Sequence, residues 1–251
     1  MDLKRLYNLC ISNYKRWENR SPLTDEDKKY FLSDDYRSAL DGLCDREVDR
    51  AQRIFFEENG RQFGFCMYCV YASEDGKCFI LDYCIYPEYR GKGYGKTCFL
   101  QLKETVKEAE YYELNLSDEK NRRFWMSLGF TYNGYDAHGS ILYTLMEEAL
   151  GGIICEELKE EDNWQILNLW NGYQAHISGD FLSEEAGEAL IQRIEQRQLH
   201  AFVAKRKTRA VGMYVIGSNE KVLFVEPLFQ EKGIENEIVE FAEAKLTVNR
   251  G

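Results

Sequence analysis

Apolar positions Leu3, Leu6, Tyr7, Cys10, Ile11 and Tyr14 recur at helical spacing and predict an opening helix, after which the acidic stretch 22–45 reads as helix and loop. The period then changes. Residues 53–57, 62–72 and 79–86 carry β-branched and aromatic side chains, with turn formers Glu58-Asn59-Gly60 and Ser73-Glu74-Asp75-Gly76 between them, so consecutive antiparallel strands joined by hairpin turns are expected. Beyond Gly95, the residues Cys98, Phe99, Leu102, Val106 and Ala109 form one apolar stripe with Lys103, Glu104, Lys107 and Glu108 opposite, the pattern of an amphipathic helix. A short strand at 111–116, a helix over 119–128 stopped at Gly129, and a strand pair at 131–135 and 140–145 complete the sequence of elements.

Gly151-Gly152 reads as a linker, dividing the chain into domains at 1–150 and 151–251. Strands are expected at 201–204, 210–216 and 221–225, then Pro227 and an amphipathic helix over 233–246. Pro227 stands as far from Pro87 as Gly233 stands from Gly93, and both pairs lie between a strand and a helix. That is the mark of a diverged internal duplication whose second copy is shorter. The copy has no counterpart of 111–145, so the edge of its half sheet must be covered by the first domain or by a partner chain, which keeps a homodimer in view.

Composition narrows the picture. The 251 residues are 44% hydrophobic and 14% aromatic, which fits ordinary globular domains, and the net charge of −11 makes nucleic acid an unfavourable partner. No leader pattern opens the sequence and no apolar run of roughly 18 residues occurs, so a cytoplasmic protein with no membrane association is expected. Eight cysteines lie mostly in apolar runs, and Cys66-Met67-Tyr68-Cys69 falls in a strand whose alternation sends the two sulfurs to opposite faces. With three histidines and no second CxxC, no metal site is expected.

The candidate chemistry lies in Gly91-Lys92-Gly93-Tyr94-Gly95-Lys96-Thr97. A Walker-type phosphate loop needs four residues between its first glycine and Gly-Lys-Thr, and here there are only three. A dinucleotide fingerprint fails as well, because position 96 is Lys. The three glycines nevertheless stand between a strand and the first turn of a helix, where unpaired N–H groups favour an anion, and Arg90, Lys92 and Lys96 add positive charge at that end. A pyrophosphate fits that description.

Ile85-Tyr86-Pro87 followed by Arg90-Gly91-Lys92-Gly93-Tyr94-Gly95 resembles the V-x-P-x-x-R-G-x-G-x-G/A signature of the GCN5-related N-acetyltransferase (GNAT) superfamily, and 121–130 (NRRFWMSLGF) is similar to that family's fourth helix. The resemblance covers 1 to about 148 well and 153–248 weakly. It implies an α/β (α+β) GNAT acyl-CoA N-acyltransferase fold: a mixed, mostly antiparallel sheet flanked by helices, followed by a truncated GNAT-like second domain. It also implies an acetyl-CoA site in a gap between two parallel strands, 79–86 and 111–116. Backbone groups at Cys84 and Ile85 would take the pantetheine arm and thioester, and the amides of Arg90, Gly91, Lys92, Gly93, Tyr94, Gly95 and Lys96 the pyrophosphate.

The implied reaction is transfer of an acetyl group from acetyl-CoA to a primary amine, borne by a small molecule or a peptide, by direct attack on the thioester. Such an attack needs a base and an oxyanion donor; Asp82 is the base candidate by location, and the Ile85 N–H the donor candidate. The chain departs from the family pattern at two points. The usual general-acid Tyr is Trp125, with Tyr83, Tyr112 and Tyr132 as substitutes that the sequence does not rank. The coenzyme-contacting Asn falls on Asp118, which leaves Asn121 one turn later as its replacement. These departures keep a second class of function open, a non-catalytic acyl-CoA-binding or regulatory module. In the second copy Arg90, Gly91 and Gly95 become Gln230, Glu231 and Glu235, so no coenzyme is expected there. Acidic residues between 22 and 50, among them Asp25, Glu26, Asp27, Asp34, Asp35, Asp41, Asp45, Glu47 and Asp49, hint at a cationic acceptor.

Overall fold

The computed structural model describes residues 33–116, 119–136, 139–146 and 152–248, together with residue 29. The helix expected over 3–14, the acidic residues Asp25, Glu26 and Asp27, and Asp118 lie outside the described residues. By its internal contacts the chain divides into two compact units, one ending at residue 73 and resuming over 79–108, the other made of 74–78 and of 109 onward.

In the first unit, helix α1 (Asp34–Cys44) is capped by Ser33, whose hydroxyl accepts the Tyr36 N–H at 3.1 Å. Strands β1 (Gln52–Glu58) and β2 (Arg61–Tyr71) pair antiparallel, with Ile54 opposite Cys66. Their two-residue turn has positive φ at Asn59 (50°) and Gly60 (75°), the geometry that matches strand twist, and the sequence signal for it was correct. Strand β3 (Lys77–Ile85) lies beside β2, and helix α2 (Tyr94–Thr105) follows. Alternation along β2 buries Met67 and Cys69 with Ala51 under Leu40 and Leu43 of α1. Cys66 is on the other face, close enough to Tyr83 to act on its phenol, as the period-two reading requires.

The second unit holds β4 (Tyr111–Asn115), α3 (Glu119–Met126), β5 (Thr131–Tyr135) and β6 (Ile141–Leu145), in the antiparallel order β4-β6-β5. It continues through β7 (Ile153–Glu157), α4 (Asn163–Ile177), α5 (Glu184–Glu195), β8 (Leu199–Arg206), β9 (Arg209–Gly217), β10 (Lys221–Val225) and α6 (Ile234–Val248). The last four strands form one antiparallel sheet, β10-β9-β8-β7. One face packs Leu199, Ala201, Val203, Met213 and Val215 against Ile166, Leu169 and Trp170 of α4 and Leu190 of α5. The other packs Phe202, Ala204 and Tyr214 against Ile234, Ile238 and Ala242 of α6. Helices on both faces explain why β8 and β9 are buried almost without interruption. The architecture is therefore α/β, with mostly antiparallel sheets flanked by helices. The sequence reading assigned no element between 153 and 198, where β7, α4 and α5 stand.

Inside the second unit three carboxylates, Asp75, Glu113 and Glu226, meet three cations, Lys77, Arg206 and Arg209. Arg209 donates to both oxygens of Glu226 (2.8 and 2.7 Å), lies 3.6 Å from Glu113 and donates to the Tyr111 hydroxyl, which itself donates to Asp75 at 2.9 Å. Lys77 lies 3.4 Å from Glu113, and the Thr144 hydroxyl donates to Glu113 at 3.0 Å. Burial alone would raise the Glu113 carboxyl, but Lys77 and Arg209 outweigh it and hold the group below the ordinary carboxylate range. Burial likewise opposes the Arg209 charge, and Glu226, Glu113 and Asp75 keep the guanidinium well above its usual value.

Because one guanidinium satisfies this set, Arg209→Met leaves buried charge unpaired. It is expected to lower stability by about 3–5 kcal/mol, read as a shifted midpoint in urea unfolding; a loss under about 1 kcal/mol would contradict the role assigned to Arg209.

Candidate functional site

At the end of β3 the chain leaves the sheet. Tyr86 donates its N–H to Phe63 O at 2.7 Å, and Pro87 then opens a single 3-10 turn, Pro87–Tyr89, closed by Tyr89 N–H to Tyr86 O (2.9 Å) and Arg90 N–H to Pro87 O (3.3 Å). Gly91 (φ 72°) and Gly93 (φ 86°) both take left-handed backbone, which only glycine adopts without strain. A Cβ built at either would meet no atom within 4 Å, so the missing side chains leave open space on the loop and relieve no crowding. Helix α2 starts at Tyr94, and Thr97 N–H to Gly93 O (3.2 Å) begins its regular ladder. The amides of Tyr94, Gly95 and Lys96 come before that bond and have no acceptor within the helix. Lys92 and Lys96 are exposed beside them. This is an anion cradle made of main chain and bordered by two lysines.

Two side chains fasten the cradle to β3. The Tyr83 hydroxyl donates to Gly95 O at 2.6 Å, and burial pushes its phenol well above the ordinary value, so its proton is committed to that bond. Arg90 turns back along the strand: Nε donates to Ile85 O at 2.6 Å and an outer guanidinium nitrogen lies 3.9 Å from Cys84 Sγ. A ring cluster of Phe63, Tyr89 and Tyr94, with centroids 4.7–5.4 Å apart, packs the loop from the strand side. The Tyr94 side chain therefore serves the fold.

The Cys84–Ile85 peptide is set by β2. A Cβ on Gly64 would lie 2.0 Å from Cys84 O and 3.0 Å from the Ile85 Cα, so β2 can come this close only without a side chain. Sequence reasoning did not single out Gly64, although a glycine inside the aromatic run Phe63-Gly64-Phe65 is the signal of such an approach. Cys84 is buried; burial first, then Asp82, pushes its thiol to about 12 against the pull of Arg90. A thiol held so far up is no nucleophile at neutral pH. Asp82 is half-buried on the same strand, with its carboxylate close enough to act on that thiol.

The remaining candidates lie in the second unit. Asn121 is half-buried on α3. Trp125, also on α3, is buried edge-on against Phe124 (5.1 Å) and Phe130 (5.0 Å), and its carbonyl accepts the N–H groups of Leu128 and Phe130 where Gly129 (φ 98°) ends the helix. It is a packing residue. Of the tyrosines named as acid substitutes, Tyr83 is committed to Gly95, Tyr112 is buried, and Tyr132 is 40% exposed with its phenol raised to about 12, chiefly by burial. Two residues of the acidic stretch make local contacts: Asp41 pairs with Arg53 at 3.4 Å, and both oxygens of Asp49 bind the Ser73 turn.

The second copy repeats the cradle's backbone without its openness. Glu226 N–H bonds Val211 O (2.9 Å), Pro227–Phe229 forms the 3-10 turn, Gln230 N–H bonds Pro227 O (3.4 Å), and Gly233 has φ 88°. Glu231 takes the left-handed backbone of Gly91 at φ 60°, a costly conformation for a residue with a Cβ. Its N–H is met by Glu235 Oε1 at 3.3 Å. A carboxylate of the chain thus sits where an external anion would bind. Just beyond β10, Asn133 of β5 accepts the Leu228 N–H at 3.0 Å and donates to Glu226 at 3.3 Å, while Pro227 packs on Gly134, so residues of the first half cover the turn that follows the edge strand.

Among the described residues no group of three or more His, Cys, Asp or Glu side chains is placed to hold a metal ion, and no helix is long and apolar enough to cross a membrane.

No curated protein matches the chain. Several solved structures are similar to it: the PaiA N-acetyltransferase of Thermoplasma acidophilum in complex with coenzyme A (17% identity, 58% of this chain and 93% of that one, TM-score 0.46), an acetyltransferase of Thermus thermophilus (14%, 57% and 90%, 0.42) and a tandem GNAT protein from the clavulanic acid biosynthesis pathway (10%, 80% and 70%, 0.29). The model of the acetyltransferase (GNAT) family matches residues 11–130, the span that includes the glycine cradle, α2 and the Trp125 helix.

Proposed function

We propose that the chain is an acyltransferase that moves an acetyl group from acetyl-CoA to a primary amine, with 1–150 as its catalytic domain and 151–251 as a degenerate copy that binds no coenzyme. The observation that carries this reading is the cradle itself: left-handed Gly91 and Gly93 open to the outside, followed by three helix-start amides and flanked by Lys92 and Lys96. The diphosphate of the coenzyme would lie on the amides from Gly91 to Lys96, the Arg90 N–H being taken by Pro87 O, with its pantetheine arm along the main chain of Cys84 and Ile85 and Asn121 as a further contact. The acetyl thioester supplies the electrophile, and this chain supplies the groups that receive the proton and the developing charge.

As the acceptor nitrogen adds to the thioester carbonyl, the C–S bond breaks and the thiolate leaves with its electron pair. The Ile85 N–H, at the strand end that Gly64 and Arg90 hold in place, is the donor for the developing oxyanion. Asp82, three residues earlier on β3, takes the proton lost by the amine, directly or through water. Trp125 has no proton to give the thiolate, but a thiol with an ordinary pKa of about 8.5 is already a tolerable leaving group, and solvent can protonate it. The raised Cys84 thiol supports direct attack over an acyl-enzyme.

Isothermal titration is expected to give one acetyl-CoA site per chain. Gly93→Val, which strains left-handed backbone by about 1–2 kcal/mol and fills the open face, should weaken binding at least about tenfold. Two sites per chain, or an indifferent Gly93→Val, would contradict the placement. For the chemistry, Asp82→Asn is expected to slow transfer to an amine panel by about 100-fold or more with the dissociation constant of acetyl-CoA little changed. An unaffected rate removes Asp82 from the reaction, and tight binding with no turnover on any amine favours a non-catalytic acyl-CoA-binding module.

A further inference from the structure

Arg90 is a cationic position of the cradle that the second copy exchanges for a neutral donor, as it exchanges Lys96 for Asn236. Gln230 stands in its place, and the two side chains make the same bond. Arg90 Nε donates to Ile85 O, five residues back, at 2.6 Å; Gln230 Nε2 donates to Val225 O, also five residues back, at 2.8 Å. Their backbones coincide (φ −70°, ψ 151° against φ −64°, ψ 156°), and each N–H closes the preceding 3-10 turn on the proline carbonyl. The second copy has lost two of the features that suit an anion: Glu231 and Glu235 replace two glycines, and a carboxylate of the chain already occupies a loop amide. Lys232, Gly233 and the donor to the strand-end carbonyl have been kept.

That carbonyl sits where the chain peels away from the sheet, and a buried main-chain oxygen without a partner there would cost free energy. The side-chain bond supplies the partner and ties the last peptide of the strand to the start of the loop, closing a small ring around the 3-10 turn. We propose that Arg90 is a positioning residue, acting through its hydrogen bond to Ile85 O to hold the strand end and the glycine cradle in register, and that its positive charge is not what the coenzyme's diphosphate requires. This inference rests on the reading that the cradle binds acetyl-CoA.

The test compares full-length wild type, Arg90→Gln, Arg90→Met and Gln230→Met by titration with acetyl-CoA at low and high salt, by KM and kcat for transfer, and by thermal unfolding. Gln keeps the donor and loses the charge; Met loses both. Arg90→Gln is expected to bind within about threefold of wild type with the same salt dependence, because no phosphate contact has been removed. Arg90→Met should bind at least about tenfold more weakly, with KM rising alongside, and Gln230→Met should lower the unfolding temperature without altering acetyl-CoA affinity. If Arg90→Gln weakens binding as much as Arg90→Met and flattens the salt dependence, the charge was the requirement and the inference fails. It fails equally if Arg90→Met binds like wild type, or if Gln230→Met weakens binding as strongly as Arg90→Met. No acetyl-CoA binding by the wild type would instead refute the functional reading itself.

Discussion

The structure of the first half turns on how β3 is joined to α2. Between Ile85 and Tyr94 the chain must leave a sheet, reverse through one 3-10 turn and enter a helix while keeping its amides turned outward. Pro87 fixes the turn, Gly91 and Gly93 supply backbone that other residues adopt only under strain, and Arg90 and Tyr83 pin the result to the strand from its two ends. The anion-binding character follows from this join. The amides have no acceptor within the helix because they precede its first hydrogen bond, and Gly91 and Gly93 leave open space beside them. Gly64 extends the same constraint into the sheet, since any side chain on β2 at that point would displace the Cys84–Ile85 peptide.

The second copy shows the same join with a different surface. Its turn, its backbone angles and its side-chain brace persist, because they satisfy the main chain. The features that leave the loop open do not: Glu231 tolerates φ 60° and Glu235 fills the vacated amide. The copy has become part of a packed body in which Arg209 and Glu226 reach Tyr111 and Asn133 of the first half. Three carboxylates set against three cations make that body electrically neutral at its buried centre, so each charge depends on the others remaining in place.

Much of this was legible in the sequence where the signal is local. The Asn59-Gly60 turn, the stripe of α2, the proline and glycine spacing of the cradle and its distant repeat all depend on residues within a few positions of each other, or on the same pattern occurring twice. What escaped was non-local or masked by composition. Helix α4 carries Asn163, Asn171 and Gly172 among its apolar residues, which blurs its period, and its buried side is decided by the sheet beneath it. The bond between Arg209 and Tyr111 spans 98 residues, and nothing near either marks the other as its partner. Gly64 was visible as a glycine in a strand, but the need for it appears only when β3 lies against it. Among the acidic residues of 22–50, Asp41 and Asp49 make local pairs that only the fold shows.

A crystal structure of the full chain grown with acetyl-CoA tests the central claim most directly. The account requires diphosphate oxygens within about 2.7–3.2 Å of main-chain N–H groups between residues 91 and 96, with the loop of residues 230–235 closed on its own glutamate. Finding the coenzyme's diphosphate held elsewhere, with those six amides turned to solvent or to the protein's own side chains, would contradict it.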